Sequence, residues 1–472
     1  MDNGKVIRLF QLSNVIQYIT SFICISIIIS IKGIKIYGEF AILLQYAAVI
    51  LVLSSIYTPA SVIKQFIILD SSDSSGNKKN LNEMFNLFLE NILFFFLISI
   101  ILFFFTSSFS ISCALFFFCL LSLCNHFTPI AYEFSKAKAI PKIFILFSII
   151  SVLYFFLCCQ FLSSYNLSKI LIWGNIVGLL PNSIYLFLLV NKLQKANLFK
   201  LTSIRKYFTL RPTNKKFSLY LNEVLIFLYN RFDGVVLASV STPEVFALYS
   251  VLWKSIEAPQ FIIGNVNNFL FSTDYYAKMG SLSKHIELNA FSFRLIPLKK
   301  FKYISKAAIK NLKNNKLNLE SARLIKSFAL VIFSVIFLLI YFSITTGNNL
   351  LIFSPLILLI LLIIFIGLWA GSILLALNNT RLLLLRGIVG GSTAILTAII
   401  LVPKLGLIGS IVSSLISYGF SITIPIFVNN EGMSTFVVAV FSFLLNIKSG
   451  FYGIFEDIKN LLKKISKVKK IF

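Results

Sequence analysis

Six ionisable side chains stand inside apolar runs of this 472-residue sequence: Glu90, Glu223, Arg231, Asp233, Lys254 and Glu257. Three of them fall in the single stretch YLNEVLIFLYNRFDGVVLASV, residues 220–240. Guanidinium and ammonium groups bind phosphate or carboxylate, the guanidinium through a planar fork of donors. A carboxylate in such surroundings can hold a proton or a small cation. In hydrocarbon each charge costs about 2.5–3.5 kcal/mol, so the six together would cost on the order of 15 kcal/mol if they faced lipid. They must face one another or a wet cavity. At about 100° per residue, Glu223 and Asn230 lie close to one line of a helix, with Arg231 and Asp233 some 80° to either side. Arg231 and Asp233 then point about 160° apart, so each needs a partner on another element.

The following segment supplies candidates. Residues 217–238 and 243–268 read as an antiparallel pair of helices turning near Ser241–Pro243. Counting back from that turn brings Lys254 and Glu257 within about two turns of Arg231 and Asp233. Lys254 and Glu257 are three residues apart and share a face. The predicted network is Glu223, Arg231, Asp233, Lys254 and Glu257, with Lys64 near the inner end of a helix in the first half of the chain. Two readings stand. The charges either tie helices together as a buried ion network or line a functional polar cavity, and the cost of keeping them favours the cavity. Glu90, alone in LFLENILFFF, fits either reading equally.

The elements that must carry these residues are set by composition. The chain is 58% hydrophobic and 13% charged, half the charge of a soluble protein at about 25%. Its apolar residues come in blocks long enough to cross a bilayer, about 20 residues each. Barrel strands alternate over about 10 residues, which these blocks do not. The fold class is therefore an all-α polytopic membrane protein. Twelve transmembrane helices are predicted at 10–31, 38–62, 84–106, 111–131, 142–162, 169–190, 217–238, 243–268, 327–346, 351–377, 382–402 and 406–428. Lys5 and Arg8 precede the first apolar run and no small-x-small cleavage pattern follows it, so it reads as a span and not as a removed signal.

With the N-terminus inside, the cytoplasmic segments hold 36 Lys and Arg and the outer loops hold 4. That split is a strong positive-inside signal and places both termini in the cytoplasm. Periplasmic-reporter fusions after Lys216 and after Phe472 are both expected to be inactive, and activity at the second would mean an odd number of spans. The net charge of +26 is accounted for by basic loops facing anionic lipid, not nucleic acid. The basic linker 191–216 separates two six-helix bundles, 1–190 and 217–428, around a central cavity. A long cytoplasmic loop occupies 275–326. Residues 429–472 read as an interfacial segment and a basic amphipathic tail, with Phe451, Phe455, Ile458, Leu462, Ile465 and Val468 at helical spacing among lysines. YGEFAILLQY and VFALYSVLWK occupy like places in the two halves, a faint internal repeat of the kind transporters use.

Little else suggests chemistry. The six cysteines (24, 113, 119, 124, 158 and 159) lie in apolar segments without a CxxC pair and read as small buried hydrophobes. Two histidines, 126 and 285, make a histidine-based metal site a poor reading. No catalytic residue, metal or cofactor is expected. Gly391, Gly406 and Gly409 read as positions of close helix packing.

At YNRFDGVVLASVSTPEVFALYSV the chain resembles O-antigen flippases and related polysaccharide exporters. Their superfamily also holds multidrug exporters of the MATE type and the lipid II flippase. Asp233 and Tyr249-Ser250 match the family's pattern, and Ala247 replaces its Gly. LVPKLGLIGSIVSSLISYG, residues 401–419, is similar to the opening of the family's twelfth helix, and IYGEFAI to its first outer loop. FLFSTDYY departs from a more usual Phe-Pro ending of the eighth helix, and the 275–326 loop is longer than expected. The resemblance implies movement of an undecaprenyl-pyrophosphate-linked oligosaccharide from the inner to the outer leaflet of the bacterial inner membrane. Arg231 and Lys254, with Lys64 and Asn230, would bind the head group. Asp233, Glu223, Glu257 and Glu90 would serve ion coupling, with H+ or Na+ as the coupling ion. Membrane lipids, and the polymerase and chain-length regulator of the same pathway, would be its partners. Two other classes compete. A membrane polymerase would bind its substrate in a large outer loop with Arg and His, which the predicted topology lacks. A drug exporter of the same superfamily would have a more apolar cavity.

Overall fold

The computed structural model describes residues 19–54, 139–162, 170–171, 214–270, 317–376, 380–428 and 440. These residues are helical, and no strand occurs among them. The predicted spans at 84–106 and 111–131, nearly all of the one at 169–190, most of the linker and the long loop, and the tail lie outside the described residues. In chain order the helices are α1 (Ile19–Lys32), α2 (Ile34–Ser54), α3 (Ala139–Phe161), α4 (Asn214–Val240), α5 (Pro243–Leu270), α6 (Leu317–Thr346), α7 (Ser354–Ala376) and α8 (Thr380–Val428). A short 3-10 turn, Leu350–Phe353, leads into α7.

Three boundaries differ from the sequence reading. The second helix begins at Ile34 and not at 38. The fourth begins at Asn214, taking in the end of the linker. The sixth begins at Leu317, so the last part of the 275–326 segment is helix and not loop. The two predicted helices 382–402 and 406–428 are both present, as the two arms of α8 on either side of a break at Gly406. Gly406 has φ 55 and ψ −125, a backbone conformation that side-chain-bearing residues rarely adopt. After this break the chain folds back on itself. A Cβ at Gly409 would overlap the Leu401 carbonyl, and Thr397 and Ser413 exchange a hydroxyl hydrogen bond at 2.7 Å. Gly409 is thus a position of close helix packing, as its sequence setting predicted; Gly406 is not, since a Cβ there would meet nothing within 4 Å and its backbone conformation is what requires glycine.

Beside buried apolar residues such as Phe155 and Val402, α3 and α8 each carry an inside-out face by the standard of soluble proteins, where a helix turns its apolar stripe inward. On α3 the residues exposed are Leu146, Ile149, Ile150, Leu153, Phe156 and Leu157, while Ser148 and Ser151 are buried. On α8 Leu396, Ile399, Ile400 and Ile408 are exposed, while Ser410, Ser413, Ser414, Ser417 and Ser421 are buried. Such surfaces are costly in water and suited to hydrocarbon.

The described residues fall into two compact units. One takes α1–α3, the start of α4 to Phe227, and the hairpin Gly234–Ser250. The other takes Leu228–Asp233, α5 from Val251, and α6–α8. In the first unit α2 is pinned to the hairpin Gly234–Ser250. A Cβ at Gly38 would overlap the Pro243 carbonyl, and the hydroxyls of Tyr37 and Ser250 lie 2.9 Å apart. Tyr249 packs its ring directly against Gly234. Phe40 meets Phe155 of α3 edge-on at 5.9 Å. Because the obstacle at Gly38 is backbone, no side-chain rotation relieves it. Gly38→Ala is expected to force α2 away from the hairpin at a cost of about 1–3 kcal/mol. A lower Tm of the detergent-purified variant checks this; an unchanged Tm would mean that the close approach adds nothing to stability. In the second unit α7 packs along α8.

Candidate functional site

The segment YNRFD of α4 sits in the second unit with α5 and α8, and its residues diverge as helical spacing demands. Arg231 forms an ion pair with Glu257 of α5. Lys254 Nζ donates to the other oxygen of the same carboxylate at 2.8 Å. One carboxylate therefore bridges two cations. The side chains of Arg231, Glu257 and Lys254 are 22%, 19% and 37% exposed. Their neighbours on α5, Val251, Leu252, Trp253, Ser255 and Ile256, are buried. An accessible charge cluster on otherwise apolar helices belongs beside water, since hydrocarbon would charge several kcal/mol for each.

Asp233 points elsewhere. It is 2% exposed, and its Oδ2 accepts a hydrogen bond from Ser414 Oγ of α8 at 3.0 Å. Ser417, one turn on, donates to the Ser414 carbonyl at 2.9 Å and approaches the Tyr229 carbonyl at 3.5 Å. The buried serines 410, 414, 417 and 421 recur at helical spacing and form one polar line on α8. Asn230 directly precedes Arg231 on α4, with its Oδ1 buried. Below it Tyr229 meets Tyr418 edge-on at 5.3 Å, and Trp253 stacks on Tyr418 at 6.5 Å. These rings wall the polar residues on the apolar side.

The single predicted network is therefore two clusters. Arg231, Lys254 and Glu257 come together as the hairpin geometry required. Asp233 takes its hydrogen bond from α8, an element the sequence reading had not joined to it. Glu223 lies on α4, but its side chain is outside the described set. Lys64 and Glu90 lie outside the described residues altogether. Among the described residues no cluster of metal-ligating side chains occurs.

Sequence reasoning missed two features. The serine line was visible as GSIVSSLISYGFS, with hydroxyls recurring every three or four residues in an apolar span. Arg386 was not singled out as a site residue. Since α8 starts at Thr380, Arg386 lies well inside the helix, and it donates from NH1 to the Gly367 carbonyl of α7 at 3.0 Å.

No family model matches the sequence, and no curated protein matches it either. Three solved structures show a distant likeness over nearly their whole length. One is the lipid II flippase MurJ in an inward closed conformation, at 13% identity and a TM-score of 0.42, covering 96% of this chain and 90% of that one. A second is an inward-facing multidrug resistance MATE family transporter of the MOP superfamily, at 10% identity and a TM-score of 0.43, covering 94% and 95%. The third is a MATE protein in complex with MaL6, at 11% identity and a TM-score of 0.41, covering 96% and 97%. No residue role is carried over from them.

Proposed function

We propose that this chain is a flippase, not an enzyme. Its substrate is an oligosaccharide linked through pyrophosphate to undecaprenol, moved from the inner to the outer leaflet of the bacterial inner membrane. One observation carries the reading: Arg231 and Lys254 stand partly exposed on apolar helices and converge on a single carboxylate. A site that gathers two cations around one anion is chemically a phosphate site. Sugars and pyrophosphate will not cross hydrocarbon unaided, because each unpaired polar group costs several kcal/mol there. A cationic cavity open alternately to each side lets the head group cross while the prenyl tail stays in lipid. Arg231 supplies the forked contact, Lys254 a second charge and Asn230 a neutral hydrogen-bonding amide. Lys64, outside the described residues, is kept as a further candidate for binding the head group.

Asp233 is assigned to coupling with H+ or Na+. Its burial and the serine hydroxyl on it suit a group that is neutralised by a bound ion at one stage of the cycle. Glu223 and Glu90 are held as secondary candidates. The expected partners are membrane lipids and the polymerase and chain-length regulator of the same pathway, and both termini face the cytoplasm. Deleting the gene in its native strain tests the reading. Lipid-linked oligosaccharide should accumulate on the inner leaflet and vanish from the outer one. Unchanged distribution between leaflets would refute it.

A further inference from the structure

We propose that Glu257 is an internal stand-in for the substrate's phosphate, displaced when the substrate binds; this rests on the anion-site reading of Arg231 and Lys254. One oxygen of Glu257 faces Arg231 and the other takes the Lys254 ammonium at 2.8 Å. Both cations are thus directed at one point, and that point holds a carboxylate. A phosphate oxygen pair needs the same two donors at the same place, so the two anions exclude each other there. The side chain of Glu257 is flexible and 19% exposed, which leaves it a way to swing aside. Lys254 is more exposed than either partner, so the pair opens at the lysine side first.

Self-occupancy has two consequences. The empty site carries one net positive charge and not two, which lowers the cost of keeping it in the membrane between cycles. It also makes bound substrate leave faster, because Glu257 returns to compete for the same cations. A monoanionic carboxylate on a sugar gains nothing over Glu257, whereas a pyrophosphate with more charge and more acceptors does. The selectivity of the site therefore comes partly from what it must displace. This gives Glu257 a task other than holding the coupling ion.

The test is equilibrium binding of farnesyl pyrophosphate to the full-length protein in nanodiscs. Glu257→Gln removes the competitor while keeping size, and is expected to tighten binding by about tenfold or more and to slow probe dissociation by a similar factor. If Glu257 only orients Arg231, the same variant binds more weakly, and that result, or unchanged affinity, overturns the proposal. Glu257→Asp keeps the charge but is one methylene too short to bridge both cations. It should tighten binding by a smaller factor, and it decides the matter if the Gln variant does not accumulate. Arg231→Ala separates this proposal from the one beneath it. Loss of binding in Arg231→Ala with no gain in either Glu257 variant removes the stand-in role alone. Undiminished binding in Arg231→Ala removes the anion site itself.

Discussion

Arg231→Ala should abolish surface polysaccharide in a strain that depends on this chain, while the protein stays in the membrane at near-normal abundance. A charge-assisted contact of guanidinium to phosphate contributes about 1.5–3 kcal/mol, so its loss lowers substrate affinity by roughly 10- to 150-fold. Arg231→Lys keeps the charge and loses the fork, and should retain part of the activity. If the ion pair with Glu257 served only to hold α4 to α5, the outcome would differ. Removing one partner of a buried structural pair is destabilising, at up to about 3–5 kcal/mol, and here the loss is the tie between α4 and α5, since Lys254 still holds Glu257 within α5. Immunoblots of membranes decide between the two. Abundant, inactive protein supports the binding role, and scarce protein supports the structural one. Full activity in Arg231→Ala would exclude both.

Asp233→Asn should stop transport as completely as Arg231→Ala, by another route. Asparagine keeps the shape and can still accept the Ser414 hydroxyl at 3.0 Å, but it carries no charge and releases no proton. Protein abundance should hold. In proteoliposomes with an imposed ion gradient the variant should show less than about a tenth of normal movement, and no response to reversing the gradient. Affinity for a prenyl pyrophosphate should change little, because Asp233 and the Arg231 cluster project to different sides of α4. Ser414→Ala keeps the carboxylate and removes one neutral hydrogen bond, worth about 0.5–1.5 kcal/mol, so its effect should be a few-fold. A gradient-responsive Asp233→Asn would end the coupling assignment.

The sequence made the hairpin of α4 and α5 legible because it is local. Ser241-Thr242-Pro243 marks the turn, and two helices leaving one turn keep a countable register. That register put Glu257 within reach of Arg231. The partner of Asp233 was not legible, since Ser414 is 181 residues away and no local rule links them. The angular argument showed only that Asp233 must look elsewhere. The partner of Arg386 was not legible either, because a long side chain can reach a carbonyl on the neighbouring helix, here that of Gly367. The start of α6 was missed for another reason. Residues 317–326 include Asn318, Glu320, Arg323 and Lys326 among five apolar residues, and so mixed a segment carries no continuous hydrophobic block to mark it. The inside-out surface of α3 and α8 had no direct sequence signal either, because a fully apolar block does not say which face meets lipid.

Transport of two matched lipids by the purified protein in proteoliposomes tests the central claim most directly. One is an oligosaccharide on a prenyl pyrophosphate; the other is the same oligosaccharide on the same prenyl chain through a neutral ether. If Arg231 and Lys254 grip a phosphate, only the pyrophosphate-linked lipid reaches the far leaflet, and Arg231→Ala protein moves neither. Equal movement of the two lipids by the unaltered protein would contradict the account.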